Sequence, residues 1–436
     1  MTTILFACGT EYHVLMAFIL ATTTYAESPK ILLLYATNRT LPYLERARAS
    51  GIWDEVILIE PDAPATAYEA LWADLLTRAS VLHMFTWGFP HFNTLMAQGH
   101  AGGLSVILTD EGLLTYSPRR HFADWIAQKH DGATLARDFT FEAIQEIWLL
   151  APALFAETPW CPLRAIDVST FVSRCREYSS LRACFERLFD LENVEPVSAE
   201  AVYFRQYFPL LEVLPPELDA WLDDALTTVF SAVRLAIKNH PAWVNPLVKQ
   251  VGNNFPAADR PWEALVLRAQ MQSPEPTSLP RVYLSLTSSA MLKTALLGVT
   301  GTYLFLHRLL ARYSGWQDTS IDDLIERLSA NFPHARFIVP ANWEDLSTVL
   351  AELDRHEGWR FNLNALPTVA DEIAILRDVS LTYWRQSREQ ARRLQSLEHE
   401  VHTLRTQLDQ KDALLREVVR LMTLTADILK QDLGNG

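Results

Sequence analysis

Short apolar runs that alternate with helix-length segments constrain this chain more than any other feature. Thr3–Cys8, Lys30–Tyr35 (KILLLY), Glu55–Glu60 (EVILIE), Ser80–Phe85 and Leu104–Thr109 (LSVILT) read as buried strands. Tyr12–Thr23 and Tyr68–Arg78 between them read as helices. Strands with no polar face belong to parallel sheets covered on both sides, and right-handed crossovers then give a Rossmann-like domain. Residues 115–200 carry more helix signals and aromatic residues, and either extend or leave that domain. A second series starts near Ala201: strands at Val202–Phe208, Val233–Lys238, Arg281–Leu286, Thr302–Leu306 and Ala335–Val339, with a helix at Pro216–Val229. The expectation is an α/β chain with two Rossmann-like domains, 1–200 and 201–378, followed by a distinct segment, 379–436.

That last segment changes period. Leu394, Leu397, Val401, Leu404, Leu408, Leu415, Val418, Met422 and Leu429 follow a 3,4 alternation, with Lys411 and Thr425 as polar exceptions. No proline or glycine falls between Val369 and Leu433. Sustained over about five heptads, this predicts a coiled coil and hence a homo-oligomer.

Composition narrows the function. With 52 acidic and 38 basic residues the formal charge is -14, which repels nucleic-acid backbones but leaves room for a basic pocket around one anion. Cys8, Cys161, Cys175 and Cys184 are too sparse for a zinc site or a disulfide framework, and read as four buried thiols in a reducing compartment. Ile4–Thr24 is apolar enough to imitate a signal peptide. However, Lys30 is the first basic residue and Glu11 and His13 interrupt the run, so strand, loop and helix fit better. No stretch reaches the roughly 18 to 20 apolar residues that span a bilayer. The expectation is a cytoplasmic protein, at most peripheral to the inner membrane.

In open α/β sheets ligands bind where strands end, so the polar clusters at predicted strand ends are the candidate site residues. Asp110-Glu111-Gly112 ends one strand: a carboxylate there is either a general base or part of a polar turn. His240-Pro241 follows a strand carrying Arg234 and Lys238: a phosphate-directed imidazole or a loop dipeptide. Ser288-Ser289 opens a helix: an N-cap or a phosphate site, since free N–H groups and hydroxyls meet there. Glu263, in Pro261-Trp262-Glu263, is a favourable first-turn acid or a partner for a ribose diol.

Taken in order, these clusters resemble the hallmark motifs of the bacterial sialyltransferases, including capsule polysialyltransferases and lipooligosaccharide sialyltransferases: a D/E-D/E-G motif, an H-P motif and paired Ser/Thr. The opening Cys8-Gly9-Thr10-Glu11-Tyr12-His13 is similar to the first strand-loop-helix of that superfamily, and the resemblance covers about residues 1–310. It implies two Rossmann-like domains facing a cleft, the GT-B arrangement, with the acceptor side in 1–200 and CMP-sugar binding in 201–378. It implies Glu111 as the base that deprotonates the acceptor hydroxyl, with Asp110 the alternate. His240, with Pro241, would contact the CMP phosphate, Ser288 and Ser289 would be phosphate ligands, and Glu263 would hold the ribose. The donor would be a CMP-sugar, used as substrate with no metal or other cofactor, and the acceptor a glycan of capsule or lipooligosaccharide. Thr10 and His13 are acceptor-side candidates, as are Arg119 and Arg120, for which a solvated surface is the alternative. CMP-pseudaminic, CMP-legionaminic and CMP-Kdo donors fit the same phosphate site. An inert coiled-coil scaffold is the reading of another class, and it predicts no nucleotide binding.

Overall fold

The computed structural model describes residues 3–85, 89–116, 141–197, 199–205, 216–230, 235–239, 260–274, 276, 278–314, 319–382 and a few positions in the tail. His240, Pro241, Arg119, Arg120 and the heptads of the expected coiled coil lie outside the described residues. The chain forms two compact units: 1–214 with 222–366, and 215–221 with 367–436. Both sheets belong to the first.

The first sheet contains β1 (Thr3–Cys8), β2 (Lys30–Tyr35), β3 (Glu55–Ile59), β4 (Ala79–Met84), β5 (Ser105–Thr109), β6 (Ile144–Leu149) and β7 (Leu163–Ala165). Their order is β3-β2-β1-β4-β5-β6-β7, and every pair is parallel. This is the doubly wound Rossmann order with one strand added, and the chain reverses direction of winding between β1 and β4. The period of two along β1 separates two cores. Ile4, Phe6 and Cys8 face one, and Leu5 and Ala7 the other. In the stretch 115–200, whose reading was open, β6 and β7 extend the sheet at its edge, before α5 (Val168–Glu177) and α6 (Ser179–Leu188).

The second sheet contains β8 (Ala201–Phe204), β9 (Leu235–Lys238), β10 (Val282–Ser285), β11 (Gly301–Phe305) and β12 (Ala335–Ile338). Its order, β12-β11-β10-β8-β9, is also wholly parallel. Read from the other edge it is the flavodoxin-like arrangement, with its switch point between β8 and β10. The expected α/β, GT-B-like class is therefore the class observed. One core runs through both sheets, from Phe18 in α1 (Glu11–Thr22) to Val202, Trp262 and Tyr303.

The signal-peptide-like segment is buried structure. Tyr12 to Thr22 is buried at every position, as a helix apolar all round must be. Of the four free cysteines, Cys8, Cys175 and Cys184 are buried. Cys161 is half-buried, which corrects the expectation of four buried thiols. Among the described residues no helix is long and apolar enough to cross a membrane. In the second unit residues 369–382 are helical. A capping box opens that helix: Asp371 accepts from the Thr368 N–H at 2.8 Å, and the Thr368 hydroxyl accepts from the Asp371 N–H at 3.3 Å.

Candidate active site at the strand ends

Five strands of the two sheets point their carboxyl ends at one cavity of about 240 Å³. Thr10 and His13 enter it after β1, and Glu111 after β5. Arg205 follows β8, Lys238 and Asn239 close β9, and Ser288 and Ser289 follow β10. Glu263 comes from the first turn of α8 (Trp262–Gln272). Of the residues proposed from sequence, the structure thus gathers Thr10, His13, Glu111, Glu263, Ser288 and Ser289 around one space. Asp110 lies directly behind them.

The two acids sit in different surroundings. Asp110 is fully buried, and its carboxylate accepts hydrogen bonds from the Tyr12 hydroxyl (3.2 Å), the Leu150 N–H (3.1 Å) and the Tyr116 hydroxyl. Burial pushes its carboxyl up, against the pull of Lys293 and these three donors. It is a fastening for the strand end. Glu111 has 17 % of its side chain exposed and lines the cavity. Its N–H donates to the Thr115 hydroxyl at 3.1 Å. Gly112 then turns the chain with φ +140°, where a side chain would be strained. A Cβ there would sit 3.5 Å from the Ser289 Cβ and 3.6 Å from the Lys293 side chain.

Lys293 joins the pieces. It lies on α9 (Ser289–Leu296), one turn beyond Ser289, with its side chain 5 % exposed. Its ammonium donates to the Glu111 carbonyl at 3.3 Å, pairs with Glu263 at 3.6 Å and lies 2.9 Å from the Tyr12 ring centroid. Burial pulls its ammonium down, while Glu263, Asp110 and Glu111 hold it up. At the start of α9 the Ser288 hydroxyl accepts from the Ala290 N–H at 3.2 Å, and the Ser288 N–H donates to the Ser285 hydroxyl at 2.9 Å. Ser288 is the N-cap, the bland reading of that residue, and it also fixes where the helix amides meet the cavity.

Further charges line the same space in pairs. Arg39 donates two bonds to Glu11, at 2.6 and 2.5 Å, and Arg205 donates to Asp223 at 2.6 Å and to Asn239 at 3.0 Å. Sequence reasoning gave no role to Tyr12, Tyr116, Lys293, Arg39 or Arg205. Lys293 had a signal, a lone cation in the apolar run SAMLKTALLG. Tyr116 had none, because only the return of β6 brings the Leu150 N–H and the Tyr116 hydroxyl to one carboxylate. No group of three or more His, Cys, Asp or Glu side chains suited to a metal occurs among the described residues.

No protein-family model matches the chain, and no curated protein matches it. Several solved structures do. The chain is similar to an alpha/beta-galactoside alpha-2,3-sialyltransferase from the luminous marine bacterium Photobacterium phosphoreum, at 11% identity and TM-score 0.45, over 77% of this chain and 98% of that one. It is similar to a UDP-GlcNAc 2-epimerase from Neisseria meningitidis bound to UDP-GlcNAc, at 12% identity and TM-score 0.46, over 87% of this chain and 100% of that one. A third likeness is to the wall teichoic acid polymerase TagF, at 11% identity and TM-score 0.46, over 88% of this chain and 90% of that one.

Proposed function

We propose that the chain is an inverting glycosyltransferase that moves sialic acid or a related nonulosonic acid from its CMP-sugar to a hydroxyl of a cell-surface glycan. The observation that carries this reading is that Glu111 and Ser289 at the start of α9, 178 positions apart in the chain (289 − 111), line one cavity. A carboxylate facing a helix N-terminus across a space of this kind suits a displacement that needs a base at one end and an anion site at the other. The acceptor hydroxyl gives its proton to Glu111 while its oxygen bonds to the anomeric carbon. The bond from that carbon to the CMP phosphate oxygen breaks, and CMP departs with the electron pair. Ser289, the α9 amides capped by Ser288 and, by the family resemblance, His240 with Pro241 receive the phosphate charge that develops. His240 directly follows Asn239, which lines the cavity. Glu263 is assigned to the ribose. Thr10, Arg119 and Arg120 are assigned to the acceptor side.

We assign the base to Glu111 rather than to its alternate Asp110, because Asp110 is fully buried and already accepts three hydrogen bonds, whereas Glu111 lines the cavity. The test is calorimetric titration with CMP together with a transfer assay. That assay screens CMP-sialic, CMP-pseudaminic, CMP-legionaminic and CMP-Kdo donors against candidate glycans by mass spectrometry. Glu111→Gln is expected to lower transfer by about 100-fold or more while CMP still binds. A silent titration at millimolar CMP removes the donor assignment and favours an inert scaffold.

A further inference from the structure

His13 is held more firmly than a residue that only fills space. Its Nδ1 accepts a hydrogen bond from the Gly9 N–H at 3.1 Å. Its ring stacks on Phe85, with centroids 5.1 Å apart and planes 12° from parallel. Its own N–H donates to the Thr10 hydroxyl at 3.3 Å. At 1 % exposure the ring cannot exchange these partners for water. Because an N–H donor occupies Nδ1, the neutral ring carries its proton on Nε2. That atom lies 4.0 Å from Oε2 of Glu111.

We propose that His13 is a positioning residue for Glu111, whose Nε2–H aims the carboxylate at the acceptor hydroxyl and favours its ionised form. The inference rests on the assignment of Glu111 as the base. A side-chain movement of about 1 Å brings the two atoms to hydrogen-bond length. His13 keeps its own proton throughout, and the acceptor's proton goes to Glu111. Burial, with Lys293 and Arg39 nearby, pushes the imidazole well below its usual range, which keeps it a neutral donor. Charged groups near the carboxylate include Lys293 from α9, which also pairs with Glu263 from α8, and the adjacent Asp110, and Arg205, Lys238 and Arg260 line the same cavity. Arg39 is committed to Glu11. At Gly9, which supplies the N–H, a Cβ would lie 1.8 Å from a ring carbon of Phe89, so either the ring or the loop would have to move.

Two substitutions separate positioning from packing. In His13→Asn the carboxamide oxygen reaches the Nδ1 position and keeps the Gly9 bond, but nothing reaches Glu111. In His13→Gln an amide N–H takes the place of Nε2–H. Carbon-13 carboxylate titration of the full chain, with Glu111 assigned through Glu111→Gln, reads the ionisation without needing the acceptor. The Glu111 midpoint should rise by about one pH unit in His13→Asn and stay near wild type in His13→Gln. Once an acceptor is known, the acid limb of kcat/KM should move upward in the same variant. Equal midpoints in all three proteins, with urea unfolding showing each folded, overturn the proposal. A Glu111→Gln variant that keeps full transfer removes the base assignment instead, whatever the midpoints do.

Discussion

His83 shows how strongly burial alone sets a side chain's behaviour in this protein. Its Nδ1 lies 2.8 Å from the Thr109 hydroxyl, its Nε2 lies 2.9 Å from the Tyr25 hydroxyl, and its ring stacks on Phe6 at 5.0 Å. Burial lowers the imidazole to about 3. A histidine lowered in the fold binds fewer protons there than in the unfolded chain, so the stability it contributes is complete above about 6.5 and is lost as pH falls toward 3. His13, also lowered by burial, acts in the same direction. Asp110, raised by burial, acts oppositely: between the ordinary aspartate value and its folded value, stability falls as pH rises. Urea unfolding from pH 6.5 down to 4.5 should therefore show declining stability, and His83→Gln should flatten part of that decline. An unchanged slope in the variant would assign the decline to other groups. Nothing in Ser80–Phe85 read as a strand revealed this histidine, because the hydroxyls that satisfy it come from β5 and from the turn after α1.

At the scale of the element, α9 carries two serines with different duties. Ser288 caps the helix, whereas Ser289 is its first residue and lies beside Gly112. Ser288→Ala should cost about 1 kcal/mol of stability through the lost cap. Ser289→Ala should leave the melting temperature nearly unchanged and weaken CMP binding, as calorimetry would show. Equal thermal losses in the two variants would contradict this division. Gly112→Ala should cost about 1–3 kcal/mol, because φ +140° strains any residue with a Cβ. The strands bordering these residues were legible because each is apolar on both faces. β6 and β7 were not. IQEIWL mixes polar and apolar residues with no clean period, and the three residues of β7 are too few to show one.

For the whole molecule, CMP should raise the melting temperature, since a ligand that binds only the folded chain stabilises it by mass action. Deleting Leu394–Gly436 should reduce the assembly state by light scattering while CMP affinity holds. The expectation rests on the heptad pattern of the sequence: in a coiled coil each buried leucine would be worth roughly 1.5–3 kcal/mol. A full-length protein that scatters as a monomer would mean the stripe is covered some other way.

Local pattern by itself determined a great deal. Among the described residues, the apolar runs placed ten of the twelve strands, most of them buried along consecutive residues. The rule that ligands meet strand ends pointed to Asp110-Glu111, His240-Pro241 and Ser288-Ser289, and Glu263 stood out as a first-turn acid. What only the tertiary structure decided is which groups meet across the sheets. The Tyr12–Asp110, Lys293–Glu111 and His13–Glu111 contacts join residues between 98 and 182 positions apart. No periodicity reaches that far. Such pairs are set by sheet order and by the shared core, which fix in space what the chain order leaves distant.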